Sequence, residues 1–126
     1  MVRFTLIFAA LSGAASVAAG AFAAHGLKGR LDVSLLNAFK TGADYQLAHS
    51  IVLLIIGLLM LFKLGAASTW LNASAIAMMV GLTLFSGSLY ALSLTGIGKL
   101  GIITPFGGTA LIAGWVLLAF AATKIG

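Results

Sequence analysis

The sequence contains no cysteine and no glutamate. It has one proline and only two acidic residues, Asp32 and Asp44. Without cysteine there are no disulfides, no thiolate metal sites and no thiol catalysis. Charged residues make up 7% of 126 residues, where a soluble domain carries about a quarter. So few charges cannot coat a water-facing globule, and the solvent must be lipid. What is abundant is apolar: 62% of residues are hydrophobic and sixteen are glycine. The seven basic residues, Arg3, Lys28, Arg30, Lys40, Lys63, Lys99 and Lys124, fall at or near the ends of apolar runs. That is the placing of headgroup anchors. No basic cluster with interleaved aromatics is present, which argues against a nucleic-acid partner.

Four apolar runs approach or exceed the roughly 20 helical residues that cross a bilayer. They cover about 4–24, 45–62, 70–95 and 105–123, and they are continuous rather than alternating, so helices are expected. The prediction is an all-α, integral membrane four-helix bundle forming a single transmembrane domain over 1–126. The first run, Met-Val-Arg followed by apolar residues and "AFA", has the outline of a signal peptide, but it is long for one and reads better as an uncleaved anchor. Between the first two spans, Leu31, Leu35, Leu36 and Phe39 recur at helical spacing. They predict a short interfacial amphipathic helix over about 31–43, capped by Asp32 or Ser34, with Gly42 bending the chain into the second span. Thr104 and Pro105 are placed to cap and begin the fourth helix.

In lipid, small residues mark the faces where helices approach closely. Ser12, Ser16 and Gly20 fall near one face of the first helix, together with Thr5, Ala9 and Ala24. Ser74, Gly81, Ser88 and Thr95 recur every seven residues on the third, and Gly107, Gly114 and Ala121 do so on the fourth. A seven-residue repeat predicts a packing seam with left-handed crossing. A second stripe on the third helix carries Thr83, Ser86 and Tyr90, whose polar groups need partners inside the membrane. Trp115, in mid-span, is expected to reach an oxygen on a neighbouring helix.

The stretch "YQLAHS" at 45–50 opens the second span with polar groups. With His25 and Asp44 it forms a candidate polar cluster of His25, Asp44, Tyr45, Gln46 and His49, to which the stripe of Thr83, Ser86 and Tyr90 is joined. The favoured reading is an anchor at the membrane entry, satisfied by headgroups or by carbonyls of the Gly-rich turn after His25; a functional site ranks second. Zinc held by His25 and His49 would need more ligands than the single nearby acid supplies. No cofactor, no metal and no catalytic set of nucleophile, base and acid is expected, so the chain reads as not an enzyme.

Four segments, "GAFAAHGL" (20–27), "TGADYQLAHSIVLL" (41–54), "LFSGSLYALSLTG" (84–96) and "TPFGGTALIAGW" (104–115), together resemble the YgdD/YwdK-like family of small bacterial membrane proteins. Eukaryotic transmembrane protein 256 looks like a relative. The resemblance covers all four spans in order. It implies four transmembrane helices in a bacterial inner or plasma membrane and brings no activity with it. Ala23 stands where glycine looks more usual in the family. The expected role is a structural or regulatory partner that packs with membrane lipid, with copies of itself as a homo-oligomer, or with other membrane proteins. The alternative is an oligomeric small transporter or channel component. Basic residues are nearly balanced between the two faces, and cytoplasmic termini are expected from Arg3 ahead of the first span.

Overall fold

The computed structural model describes residues 1–126. It is helical with no strand. Helix α1 spans Val2–Phe22 and runs into a π-helical turn at Ala23–Leu27; α2 spans Val33–Met60 and α3 spans Ala66–Thr95. A 3-10 turn, Gly98–Ile102, leads into α4 at Ile103–Thr123. All four helices are long and apolar enough to cross a membrane. Short turns make successive helices antiparallel. At 61–65 the reversal uses Lys63 and Gly65 at positive φ; Gly96, left-handed, closes α3 by donating its N–H to the Leu92 carbonyl at 2.8 Å.

Packing follows chain order, α1 on α2, α2 on α3 and, most extensively, α3 on α4. In the most apolar stretch of each helix, 39% of residues are buried in α2 and in α3, against 22% in α1 and 17% in α4. The inner pair therefore carries the core, which centres on Leu53, Ile56, Leu71, Ala75 and Met78. The outer pair turns large residues such as Phe4, Leu11, Ile112 and Val116 outward, as a lipid-facing surface should.

Two expectations about boundaries change. The 31–43 segment is helical from Val33, with Asp32 capping the start by accepting the Val33 N–H at 3.0 Å, but it is no separate interfacial helix. It is the first third of α2, whose 28 residues extend about 42 Å. The reason is burial: Leu36 and Phe39 pack against Ala23, Leu27 and Tyr90 instead of lying on lipid, so the helix continues unbroken. Gly42 does not bend the chain. A Cβ there would lie 3.0 Å from the Tyr90 ring, so glycine admits the close approach of α3. At the other end, α4 begins at Ile103; Thr104 does not cap it but shares a hydrogen bond with Ser88, 2.6 Å away. Pro105 sits in the first turn, where a missing donor still costs nothing.

Candidate functional site

The α3–α4 seam follows the seven-residue pattern. Ser74 donates to the Gly114 carbonyl at 2.7 Å, and Ser88 meets Thr104 at the opposite end. Between them the backbones nearly touch. A Cβ on Gly81 would fall 2.8 Å from the Leu111 nitrogen and 2.9 Å from the Gly107 oxygen. One on Gly107 would meet the Phe85 backbone, and one on Gly114 the Met78 side chain. Thr95, the last member of the α3 repeat, lies beyond the seam: it is exposed and bonds its own helix at Ala91.

On α1 the contact face is Thr5, Ala9, Ser12 and Ser16, and Ala23 continues it in the π-helical turn. Ser12 and Ser16 belong to it as expected, whereas Gly20 is exposed with open space beside it. The face advances from Ser16 to the partly buried Ala19, one residue before Gly20. Alanine and glycine both count as small residues, so composition alone did not separate them.

The expected polar cluster divides in two. One part joins α1, α2 and α3. Gln46 donates through Nε2 to the Ser12 carbonyl at 3.1 Å and to Ser12 Oγ at 3.2 Å, and Tyr90 donates its hydroxyl to Gln46 Oε1 at 2.6 Å. Ser50 Oγ donates to the Gln46 carbonyl at 2.5 Å and contacts Ser12 Oγ at 2.8 Å. Ser86 donates to the Gly42 carbonyl at 2.7 Å. The Ser12 carbonyl can only accept, so the amide edge facing it must be the NH₂, and Gln46 Oε1 must face Tyr90. Every buried side-chain polar atom in the chain has a partner. Such completeness is what a hydrocarbon setting demands.

The second part lies on the α4 side. His49 is buried; its Nδ1 is 2.8 Å from the Tyr45 carbonyl and its Nε2 accepts from Trp115 Nε1 at 3.1 Å. An indole N–H can only donate and a carbonyl can only accept, so both partners together specify the neutral ring with its proton on Nδ1. Trp115 thus finds a nitrogen on α2, not the expected oxygen. Tyr45 stacks on His49 at 5.8 Å and packs on Phe85 at 4.6 Å.

The anchoring explanation for "YQLAHS" does not hold in its original form. These residues lie mid-helix in α2, about 18–26 Å from its start, with no free first-turn N–H groups to satisfy. His25 is exposed on the π-helical turn and Asp44 is exposed on α2; neither joins the others. Thr83 is exposed and donates to Met79 of its own helix at 2.8 Å.

The Gln46 network forms a wall of a lateral recess between α1 and α3. Its cavity of about 390 Å³ is lined by Ser12, Gln46, Thr83, Ser86 and Tyr90 with Phe8, Leu11, Ala15, Leu82 and Gly87. A second, apolar cavity of about 440 Å³ lies toward the start of α1, between Phe4 and Phe8 on one side and Ile76, Met79 and Val80 on the other. Phe8 and Thr83 line both. Thr83, Ser86 and Tyr90, the polar stripe of the third helix, supply part of the recess lining, while the recess itself arises from side chains left apart and not from any motif.

Four apolar helices with an internally satisfied polar core define a small polytopic helical membrane protein. Within that class, the chain belongs to the family described as "Protein of unknown function (DUF423)", whose model matches residues 19–108. It is 40% identical over 127 residues to the UPF0382 membrane protein YwdK of Bacillus subtilis, covering 98% of both chains. It is 37% identical over 123 residues to the UPF0382 inner membrane protein YgdD of Escherichia coli, covering 98% of this chain and 92% of that one. No solved structure matches.

Proposed function

We propose that the protein works by lateral association inside a bacterial inner membrane, as a structural or regulatory partner of lipid or of other membrane proteins, and that the α1–α3 recess is the surface it offers. The observation that carries this reading is the contrast between a closed α3–α4 side and an open α1–α3 side in one small bundle. Contiguous recesses of several hundred Å³ are the size at which ligand sites begin. On this reading the protein is not an enzyme, and its polar side chains serve packing and recognition. Arg3 ahead of α1 supports cytoplasmic termini.

The alternative, an oligomeric transporter or channel component, draws on the polar lining of the same recess. It requires copies arranged so that the Gln46 walls face a shared axis. Native mass spectrometry from mild detergent separates the two. A monomer or dimer carrying retained lipid supports lateral association. A closed ring of four or more copies without retained lipid overturns it in favour of the transporter.

A further inference from the structure

One charged side chain at membrane depth has no answer inside the bundle. Asp44 is exposed on the outward face of α2 and its carboxylate takes part in no hydrogen bond, whereas Gln46, His49 and Ser50 just beyond it are all tied across helices. Its depth follows from the cross-helix pairs. Gln46 and Ser50 lie level with Ser12, Gly42 with Ser86, and His49 with Trp115. Counted from those pairs at about 1.5 Å per residue, Asp44 stands roughly 10–15 Å inside the nearer ends of α1 with its π-helical turn, α3 and α4. An aspartate side chain is too short to reach headgroups from there. A carboxylate facing lipid at that depth is costly and calls for a partner.

Few cations are placed to supply it. Arg3, Lys63 and Lys124 lie at the opposite end of the bundle, and Lys28, Arg30 and Lys99 lie in the turns between helices. Lys40 remains, exposed one turn before Asp44 on the same face. Within one helix, a cation ahead of the acid is the weaker order. Lys40, Asp44, Leu47, Ile51, Leu54 and Leu58 are all exposed and follow one another at alternating steps of four and three, the spacing of a coiled-coil seam. The apolar members suit lipid as well as protein, so they select nothing; the charges do. A twofold axis normal to the membrane sets two α2 helices parallel and face to face. Each Lys40 then stands about 6 Å in depth from Asp44 of the other copy, a step that the four-carbon lysine stem covers. The face is self-complementary: two reciprocal pairs form and no charge is left over. A partner of different sequence would have to match an acid and a base at these two depths, which a second copy does without further requirement.

We propose that the outward face of α2 is the interface of a parallel homodimer, held by two reciprocal Lys40–Asp44 ion pairs between copies and by an apolar seam through Ile51. This goes beyond the lateral-association reading. The face lies on the other side of α2 from Gln46, so dimerisation here leaves the α1–α3 recess open.

The test reads the copy number of the full chain by native mass spectrometry over a concentration series in mild detergent. Wild type should be dimeric. Asp44→Asn keeps the shape of the side chain and should weaken the dimer about tenfold or more, the loss of its charge-assisted bonds. Lys40→Asp and Asp44→Lys each give a face of one sign and should be monomeric alone. An equimolar mixture of the two should recover a dimer with one copy of each, which pairing within a single helix does not predict. The chain has no cysteine, so introduced ones report the geometry. Ile51→Cys should cross-link between copies on oxidation, and Ile112→Cys, exposed on α4, should not. A monomeric wild type, a dimer unmoved by Asp44→Asn, or cross-linking at Ile112→Cys without Ile51→Cys overturns the proposal. So does a mixture that stays monomeric while both variants keep the wild-type circular dichroism. If either charge-reversed variant fails to fold, Asp44→Asn and Ile51→Cys decide alone. A wild-type monomer that retains lipid overturns this dimer and leaves lateral association standing.

Discussion

The α3–α4 interface and the α1–α2–α3 junction solve the same problem in opposite ways. Both hold helices together where lipid supplies little hydrophobic drive. The first removes side chains until backbones meet, with Gly81 set against Gly107 and Leu111. The second keeps polar side chains and joins them through Gln46 to Ser12 and Tyr90. Its closest glycine approach is also softer: a Cβ on Gly57 would meet the tip of Leu6, which can rotate away, and not a backbone. Close packing gains dispersion along the whole seam and leaves no room. Hydrogen bonding fixes register at a few points and tolerates space between them, and that is where the recess lies.

The most severe way to break this contrast is Gly81→Leu. The obstacles around Gly81 are backbone atoms that cannot rotate aside, so overpacking here should destabilise the bundle by roughly 3 kcal/mol or more. Reversible unfolding in mixed micelles measures it. An unchanged midpoint would mean that the seam yields as easily as a surface.

Gln46→Leu strikes the other region. It strips acceptors or donors from Ser12 and Tyr90 and should cost about 1–2 kcal/mol, less than the seam substitution. A double-mutant cycle with Tyr90→Phe sharpens the comparison: a coupling near 1 kcal/mol is expected, and additive effects would show that the 2.6 Å bond contributes nothing net.

The two regions also differed in how plainly they could be read. Ser74, Gly81, Ser88 and Gly107, Gly114 stand at a spacing that belongs to one helical face, so the seam was legible. Helix lengths were legible too, because unbroken apolar runs have few other structures in lipid. The continuity of α2 was not. Gly42 and the polar residues that follow look like a boundary until Tyr90 is seen against the glycine and Ser86 on its carbonyl. Gln46 and His49 were singled out together, but residues three apart on a helix can serve different neighbours, and here one faces α1 and α3 while the other faces α4. Trp115 and His49 both lie mid-helix, one needing an acceptor and one able to be it. That complementarity was the available signal for their pairing.

The α2–α4 link supplies a smaller test. His49→Leu leaves the Trp115 N–H without a partner on a half-exposed, lipid-facing ring and should cost about 1 kcal/mol. His49→Gln keeps a side-chain acceptor and should recover most of that loss, with the fold unchanged by circular dichroism. Equal stabilities for the Leu and Gln variants would remove the hydrogen bond from the account of this region and leave only the aromatic contact of His49 with Trp115, whose ring centroids are 6.0 Å apart.

The smallest expected effect belongs to Gly20, which shares the size of Gly81 but none of its surroundings. Apart from its chain neighbours and the backbone of its own helix, nothing lies within 4 Å of where its Cβ would stand. Gly20→Leu therefore adds an apolar side chain to an open face and relieves the helix of a poor former, so the isolated chain should be unchanged or more stable by up to about 1 kcal/mol. The same variant also probes assembly. A glycine open on a membrane-facing helix can admit a second backbone as Gly81 admits α4. If Gly20→Leu leaves monomer stability intact but removes a dimer seen for wild type by native mass spectrometry, then α1 repeats between copies the close packing that α3 and α4 use within one. If copy number and stability are both unmoved, Gly20 faces lipid, and the close-packed solution is confined to the α3–α4 half of the molecule.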